Sequence, residues 1–273
     1  MRTSFGFVLA AVCVAACSRP GSDEAFQWSN QLPAGTVVHI RDGAGSIKVS
    51  RSNDQQAVVR ASRHWRRSKA SDVKFVVANR DGQYYICAMW RNSGKCDGSY
   101  RGRNTSTLLS MLSLFHRSSD ASADFEAVLP ANVVVDAQTY IGSVEVDGLA
   151  AGVTVRALNG TVRALNVSGP LALSSINGDV RLVVDSLALT DSVRLTTING
   201  SVHADLPATT EGNFDLRTTN GTVHSDLPLP AEASNRTRKH LSGQIGSATR
   251  HVRLHTTNGR VVLTARGAPS SHD

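Results

Sequence analysis

Four cationic side chains recur at one fixed place in this sequence. Arg163, Arg181, His203 and His224 each lie four residues after the asparagine of an Asn-Gly pair. Arg156, Arg217 and His255 lie three residues before such an asparagine, and Arg194 and Arg253 five before. Guanidinium and imidazolium groups repeated at a constant interval suit the binding of a polyanion, with phosphates or sulfates spaced along an extended chain. Carboxylates recur as well. Asp205 and Asp226 take equivalent places, each before Leu-Pro, and stacked carboxylates are the chemistry of calcium binding or of an acid/base pair. Each pattern also has a plainer reading: the cations as a solvated face that resists lateral sticking, the aspartates as turn residues beside Pro207 and Pro228. The sequence carries no Gly-x-Ser-x-Gly elbow, His-Glu-x-x-His, Walker loop or dinucleotide fingerprint, so the expectation is a protein without catalytic residues, metal or cofactor. The alternative functions are an envelope polysaccharide-processing enzyme working on one face of the repeat, or a scaffold that binds an anionic glycan or lipid through the cationic stripe.

The cysteines carry different chemistry. Met1-Arg2 and the apolar run 5–16 read as a signal peptide, too short to span a bilayer as a stable anchor. It ends in "VAAC", which resembles a bacterial lipobox, so Cys17 is expected to be acylated on its thiol and on its new amine. More than one acyl chain gives stable membrane attachment. Ser18 stands where an inner-membrane retention signal usually has Asp, which favours the outer membrane. An ordinary cleaved signal peptide is the alternative. Cys13 leaves with the leader, and Cys87 and Cys96 remain, nine residues apart. In an oxidising compartment such a pair reads as a disulfide; a zinc site would need further ligands at metal spacing. Loss of Arg2 takes the formal charge from +7 to +6, which permits anionic glycan or lipopolysaccharide as partner. The aromatic share of 5% argues against a stacking platform, and no nucleic acid is expected.

Positioning those columns requires a repeat, and the Asn-Gly pairs supply it. They fall at Asn159-Gly160, Asn177-Gly178, Asn199-Gly200, Asn220-Gly221 and Asn258-Gly259, spaced by 18, 22, 21 and 38 residues. The last spacing reads as about two turns, and Ile141-Gly142 is an earlier relative. Counting back by twos from each asparagine meets a small residue and then apolar ones; two residues after each glycine comes Val162, Val180, Val202, Val223 or Val261. Period two is strand, not helix. Asn-Gly between alternating apolar residues is also the strongest short hairpin signal, so separate hairpins in a sandwich are the competing arrangement. Five asparagines on the core parity favour stacking, because identical amides in register hydrogen-bond along the stack. The glycines then serve left-handed corners. The fold expected is all-β: a parallel β-solenoid with coils of about 18–22 residues and a strand-rich N-terminal part. Its divisions are 1–16 signal peptide, 17–35 lipid-anchored tether, 36–265 solenoid and 266–273 flexible tail. Residues 108–115, "LLSMLSLF", read as a short helix or a buried strand.

Two stretches resemble a known family. "LSGQIGSATRHVRLHTTNGRVVL" (241–263) is similar to the closing motif of the bacterial adhesin-like β-solenoid family, a domain of unknown function related in architecture to autotransporter adhesin heads. "ADFEAVLPANVVVDAQTYIGSVEVDG" (123–148) resembles the start of its repeats, and a cysteine in a strand such as "YYICAMW" with another close behind is frequent in the family. The resemblance departs at Ile141, where Asn is usual, and at "GSATR", where more glycines are. It implies a solenoid spanning about residues 36–265, and an adhesin-like binding role only by analogy, with no catalytic residues to carry over.

Overall fold

The computed structural model describes residues 21–91, 93–102, 120–229, 239–247 and 249–267. The signal segment 1–16, Cys17, the apolar stretch 108–115 and positions 268–273 of the tail lie outside the described residues. Apart from one 3-10 turn at Ala70–Asp72, every described element is a strand. In chain order these are β1 (Gly21–Gln31), β2 (Val37–Asp42), β3 (Ile47–Ser52), β4 (Gln56–Trp65), β5 (Lys74–Arg80), β6 (Gln83–Met89) and β7 (Ser122–Pro130). Then come four pairs, each joined by a glycine corner: β8 (Val134–Ile141) and β9 (Val144–Asp147), β10 (Val153–Asn159) and β11 (Val162–Leu165), β12 (Leu171–Asn177) and β13 (Val180–Val183), β14 (Val193–Asn199) and β15 (Val202–Pro207). The chain continues with β16 (Gly212–Asn220) and β17 (Val223–Ser225), the single strand β18 (His240–Ile245), and finally β19 (His251–Asn258) and β20 (Val261–Arg266). Residues 21–31, within the stretch read as tether, thus form β1, which pairs antiparallel with β4.

Each pair contributes its first strand to one ten-stranded sheet and its second to another. The first sheet runs β18-β16-β19-β14-β12-β10-β8-β2-β6-β5 and the second β1-β4-β7-β3-β9-β11-β13-β15-β20-β17. Both are parallel through their middles, and antiparallel strands close three of the four margins: β18 on β16, β5 on β6, and β4 with β1 on β7. The inner faces follow from the alternation. Val155, Leu173, Leu195, Leu254 and Leu216 form one buried file, and Val162, Val180, Val202, Val261 and Val223 another. Burying each such side chain stabilises the stack by roughly 1.5–3 kcal/mol.

The order of the rungs departs from the sequence. The last pair, β19–β20, lies between β14–β15 and β16–β17, so Asn258 sits next to both Asn199 and Asn220. The 38-residue spacing is therefore not two turns of a continuing stack. The chain leaves β17, lays β18 against the outside of β16, and returns to fill the gap inside it. The first rung is displaced in the same manner, with β2–β3 between β8–β9 and the β6 and β7 strands. The displaced strands β2, β3, β19 and β20 are thereby paired on two sides, which leaves them no open edge.

The corners hold the second difference. Strict alternation would carry the asparagines into the core, but all five are exposed, because the strand bends outward at the corner. They still form a ladder on the surface: Nδ2 of Asn177, Asn199, Asn258 and Asn220 donates to Oδ1 of Asn159, Asn177, Asn199 and Asn258 at 2.7–2.8 Å. The inward polar file is the residue two before. Ser175, Thr197, Thr256 and Thr218 are buried and donate to the carbonyls of Gly160, Gly178, Gly200 and Gly259 at 2.8–2.9 Å. The corner glycines have φ of +149° to +155° at Gly178, Gly200 and Gly259, not the left-handed helical value.

In the first rung the equivalent place is taken by Asp42, paired in register with Thr139 and wholly buried. Burial pushes its carboxyl well above the usual range, against hydrogen bonds from the Ala44 and Gly43 backbone and from Thr139. A carboxyl raised in the folded state stabilises fully below its unfolded value of about 3.9 and loses that contribution as pH rises through the folded value. Asp42→Asn is therefore expected to raise Tm at pH 8 by roughly 2–4 °C and to change it little at pH 4. The new amide is placed to donate to Thr139, whose hydroxyl lies 3.2 Å from the Gly45 carbonyl. Thermal melts at the two pH values check this, and an equal shift at both would contradict it.

Candidate functional site

The cationic columns separate onto two faces. On the outer face of the second sheet, Arg163 on β11 lies beside Arg181 on β13, and Arg181 beside His203 on β15. The column is then broken: Val262 of β20 intervenes between His203 and His224 on β17. Most of its charge is also engaged locally. Arg181 pairs with Asp205 at 3.2 Å, His203 lies 2.9 Å from Asp205, and His224 lies 2.9 Å from Asp226. Arg163 is flanked on its other side by Glu145. The four residues therefore do not make one continuous cationic stripe. Asp205 and Asp226 are not neighbours either, since Thr264 is paired in register with Asp205 on the intervening rung. Each aspartate serves its own histidine, and no three His, Cys, Asp or Glu side chains among the described residues are placed to hold a metal ion.

On the outer face of the first sheet, the displaced rung concentrates charge. Arg194 on β14 is in register with Arg253 on β19, and Arg253 with Asp215 on β16. One step along, His255 on β19 is in register with Arg217 on β16, and Arg217 with His240 on β18. All three arginines are exposed. Asp215 lies at the centre, 2.9 Å from His255, 3.3 Å from His240 and 3.4 Å from Arg253. Arg253, His240 and His255 thus meet one carboxylate, with Arg194 and Arg217 at neighbouring register positions, over strands spaced about 4.8 Å apart. Arg217 was legible as a candidate from its spacing. That Arg194 and Arg253 become its neighbours was not, because it depends on the order of the rungs.

Arg156 belongs to a different group at the far end of the same face. Its guanidinium is 2.9 Å from Oδ1 of Asp136 on β8, while Oδ2 lies 2.7 Å from Arg41 and 3.0 Å from His39, both on β2. Nε2 of His39 contacts Oε1 of Gln83 at 2.8 Å, and its ring stacks on Tyr85 with centroids 4.1 Å apart. Arg41 also donates to the Asp136 carbonyl at 2.6 Å. Burial works to raise the Asp136 carboxyl, but hydrogen bonds from His39 and Arg41 and the Arg41 and Arg156 charges outweigh it and hold the group well below the usual range. No sequence motif marks this cluster, since its members come from strands far apart in the chain. Beside it, Cys87 on β6 is bonded to Cys96, and Tyr100 donates to the Ala88 carbonyl at 2.7 Å. The disulfide thereby fixes the segment after β6 near the outer face of the first sheet.

The profile of the Toastrack DUF4097 family matches residues 111–264. Among solved structures, a protein of Clostridium sporogenes named as a candidate cell adhesion protein is similar over 91% of this chain and 100% of its own, at 11% identity and a TM-score of 0.52. A candidate adhesin of Bacteroides fragilis aligns over 87% of this chain and 96% of its own, at 12% identity and a TM-score of 0.43. At such identities the Clostridium likeness extends to the fold alone. No curated protein matches the chain.

Proposed function

The chain belongs to the Toastrack DUF4097 family, and on that premise we propose that it is a non-catalytic binding protein of the bacterial cell envelope. In this reading the two-sheet stack is a β-solenoid, held to the outer membrane through an acylated Cys17. It engages anionic groups of a glycan or of lipopolysaccharide, an adhesin-like role in keeping with the name of the Clostridium protein.

The observation that carries the reading is the patch of Arg194, Arg253, Arg217, His255 and His240 around Asp215. Cations arranged over four adjacent strands, the three arginines among them exposed, match a ligand with repeated negative groups. Asp205 and Asp226, the stacked carboxylates of the sequence, are instead occupied as partners of histidine and arginine.

Binding to immobilised heparin and to lipopolysaccharide tests it. The protein should be retained at low salt and released as salt rises, since exposed charges are screened. Arg194→Glu/Arg217→Glu/Arg253→Glu should weaken retention at least about tenfold, while Arg163→Glu/Arg181→Glu on the other face should change it by no more than about twofold. Equal loss from the two variants, or none from the first, would overturn the assignment of this face. Separately, a precursor whose processing is insensitive to globomycin would remove the lipid anchor from the reading.

A further inference from the structure

The opposite end of the stack carries a second cationic feature, at the place where the N-terminal segment joins the fold. Gly21, the first residue of β1, is in register with Trp65, the last of β4. The Trp65 ring lies so close over Gly21 that a Cβ there would collide with it. Trp65 is half-buried, and Arg66, Arg67 and Lys69, directly after it, are exposed. None of these three cations takes part in a described ion pair.

The turn uses its carboxylates on the backbone instead. Asp120 accepts the N–H groups of Arg67 and Ser68 at 2.8 Å and of Arg66 at 3.4 Å. Hydrogen bonds from the Ser68 side chain and from this backbone hold its carboxyl well below the usual range. Asp72 accepts the N–H of Lys69 at 3.1 Å. The loop is therefore fixed by its anions, and its three cations stay available to solvent. Beside it opens a concavity of about 490 Å³, lined by His64, Trp65, Arg66, Asp120 and Ser122.

A half-buried tryptophan flanked by cations is the side-chain pairing found at a bilayer headgroup layer. The distance to the anchor agrees. Cys17 precedes Gly21 by four residues, which span at most about 14 Å when extended. We propose that Trp65, Arg66, Arg67 and Lys69 form a docking surface for anionic phospholipid headgroups, which seats the stack end-on at the membrane. This rests on the lipid-anchored reading above and deepens it. The cationic patch around Asp215 sits towards the other end of the strand order, beyond most of a ten-strand stack, or roughly 40 Å from the bilayer at the spacing of strands. The same molecule then grips lipid at one end and presents its ligand face at the other.

The test uses the mature chain from Ser18 onward, without Cys17, so that no acyl chain contributes. It should co-sediment with vesicles of phosphatidylglycerol and phosphatidylcholine at low salt and not with phosphatidylcholine alone. Arg66→Glu/Arg67→Glu/Lys69→Glu should weaken this binding on the order of 100-fold, with unchanged thermal melting and unchanged heparin retention; Trp65→Ser, which also removes a ring packed against the core, should weaken it more modestly and lower the melting temperature. Vesicle binding that survives the triple variant would overturn the proposal, as would binding lost instead through Arg194→Glu/Arg217→Glu/Arg253→Glu. Loss of heparin binding with vesicle binding intact would count against the ligand face alone, and a failed globomycin test against the anchor alone.

Discussion

Gly178→Ala is expected to cost roughly 3–5 kcal/mol, a large share of the 5–15 kcal/mol by which a protein of this kind is stable. Two effects combine. The φ of +155° at Gly178 is one that L side chains rarely adopt, which costs about 1–3 kcal/mol. A Cβ there would also fall against the carbonyl oxygen of Gly160 in the rung below, a backbone atom that cannot swing aside. That carbonyl is held by Ser175, and the Gly178 N–H donates to the Asn199 carbonyl at 2.9 Å. To relieve the clash the rungs must part, loosening hydrogen bonds on both sides. Gly82 provides the comparison. It has φ of +77° in the turn between β5 and β6, and nothing lies within 4 Å of its virtual Cβ. Gly82→Ala should therefore cost only the conformational strain, about 1–2 kcal/mol. Equilibrium urea unfolding of the two variants separates the terms. Equal losses would mean that the close stacking of corners contributes nothing.

These glycines were legible as corners because the signal is local: an Asn-Gly pair at a steady spacing between alternating apolar residues. The valine and leucine files were legible for the same reason. The order of the rungs was not. The β19 sequence "VRLHTTN" differs little from "VRLTTIN" in β14, so nothing within it says that it will lie between β14 and β16. That outcome depends on β18 pairing with β16, and β18 has weak alternation, with Gly243 in its middle and no fully buried residue. The asparagine ladder was half legible. The amide stacking follows from the repeat, but which way the amides face depends on where the strand bends, and period two does not encode the bend. For the candidate site the consequence is direct. Arg163 and Arg181 neighbour one another as their spacing implies, His203 and His224 are parted by Val262, and Arg253 arrives beside Arg194 through the same rearrangement.

Asp136→Ala should destabilise the protein by roughly 3–5 kcal/mol at pH 7, because it leaves buried charge without a counter-ion. The Arg41 side chain is only 6% exposed and contacts the Asp136 carboxylate at 2.7 Å; without it, the guanidinium faces His39 and the more exposed Arg156. Removing both charges is different from removing one. Arg41→Met combined with Asp136→Ala should recover a large part of the loss, and the double-mutant cycle gives the coupling directly. The pH dependence has a fixed sign. The Asp136 carboxyl is depressed in the folded protein, so its contribution is present above the unfolded value of about 3.9 and is lost as pH falls through the folded value. The gap between wild type and Asp136→Asn in urea unfolding should thus be full at pH 7 and narrow below about pH 4. A gap that persists unchanged into acid would mean that the shape of the side chain, rather than its charge, is what the cluster requires. The same cluster explains why Arg156 is separated from the ligand face proposed for Arg217. Its guanidinium balances a buried carboxylate, and Ser174, Thr196 and His255 occupy the register between the two arginines. Arg156→Glu is therefore expected to register in stability, through Asp136, rather than in heparin retention.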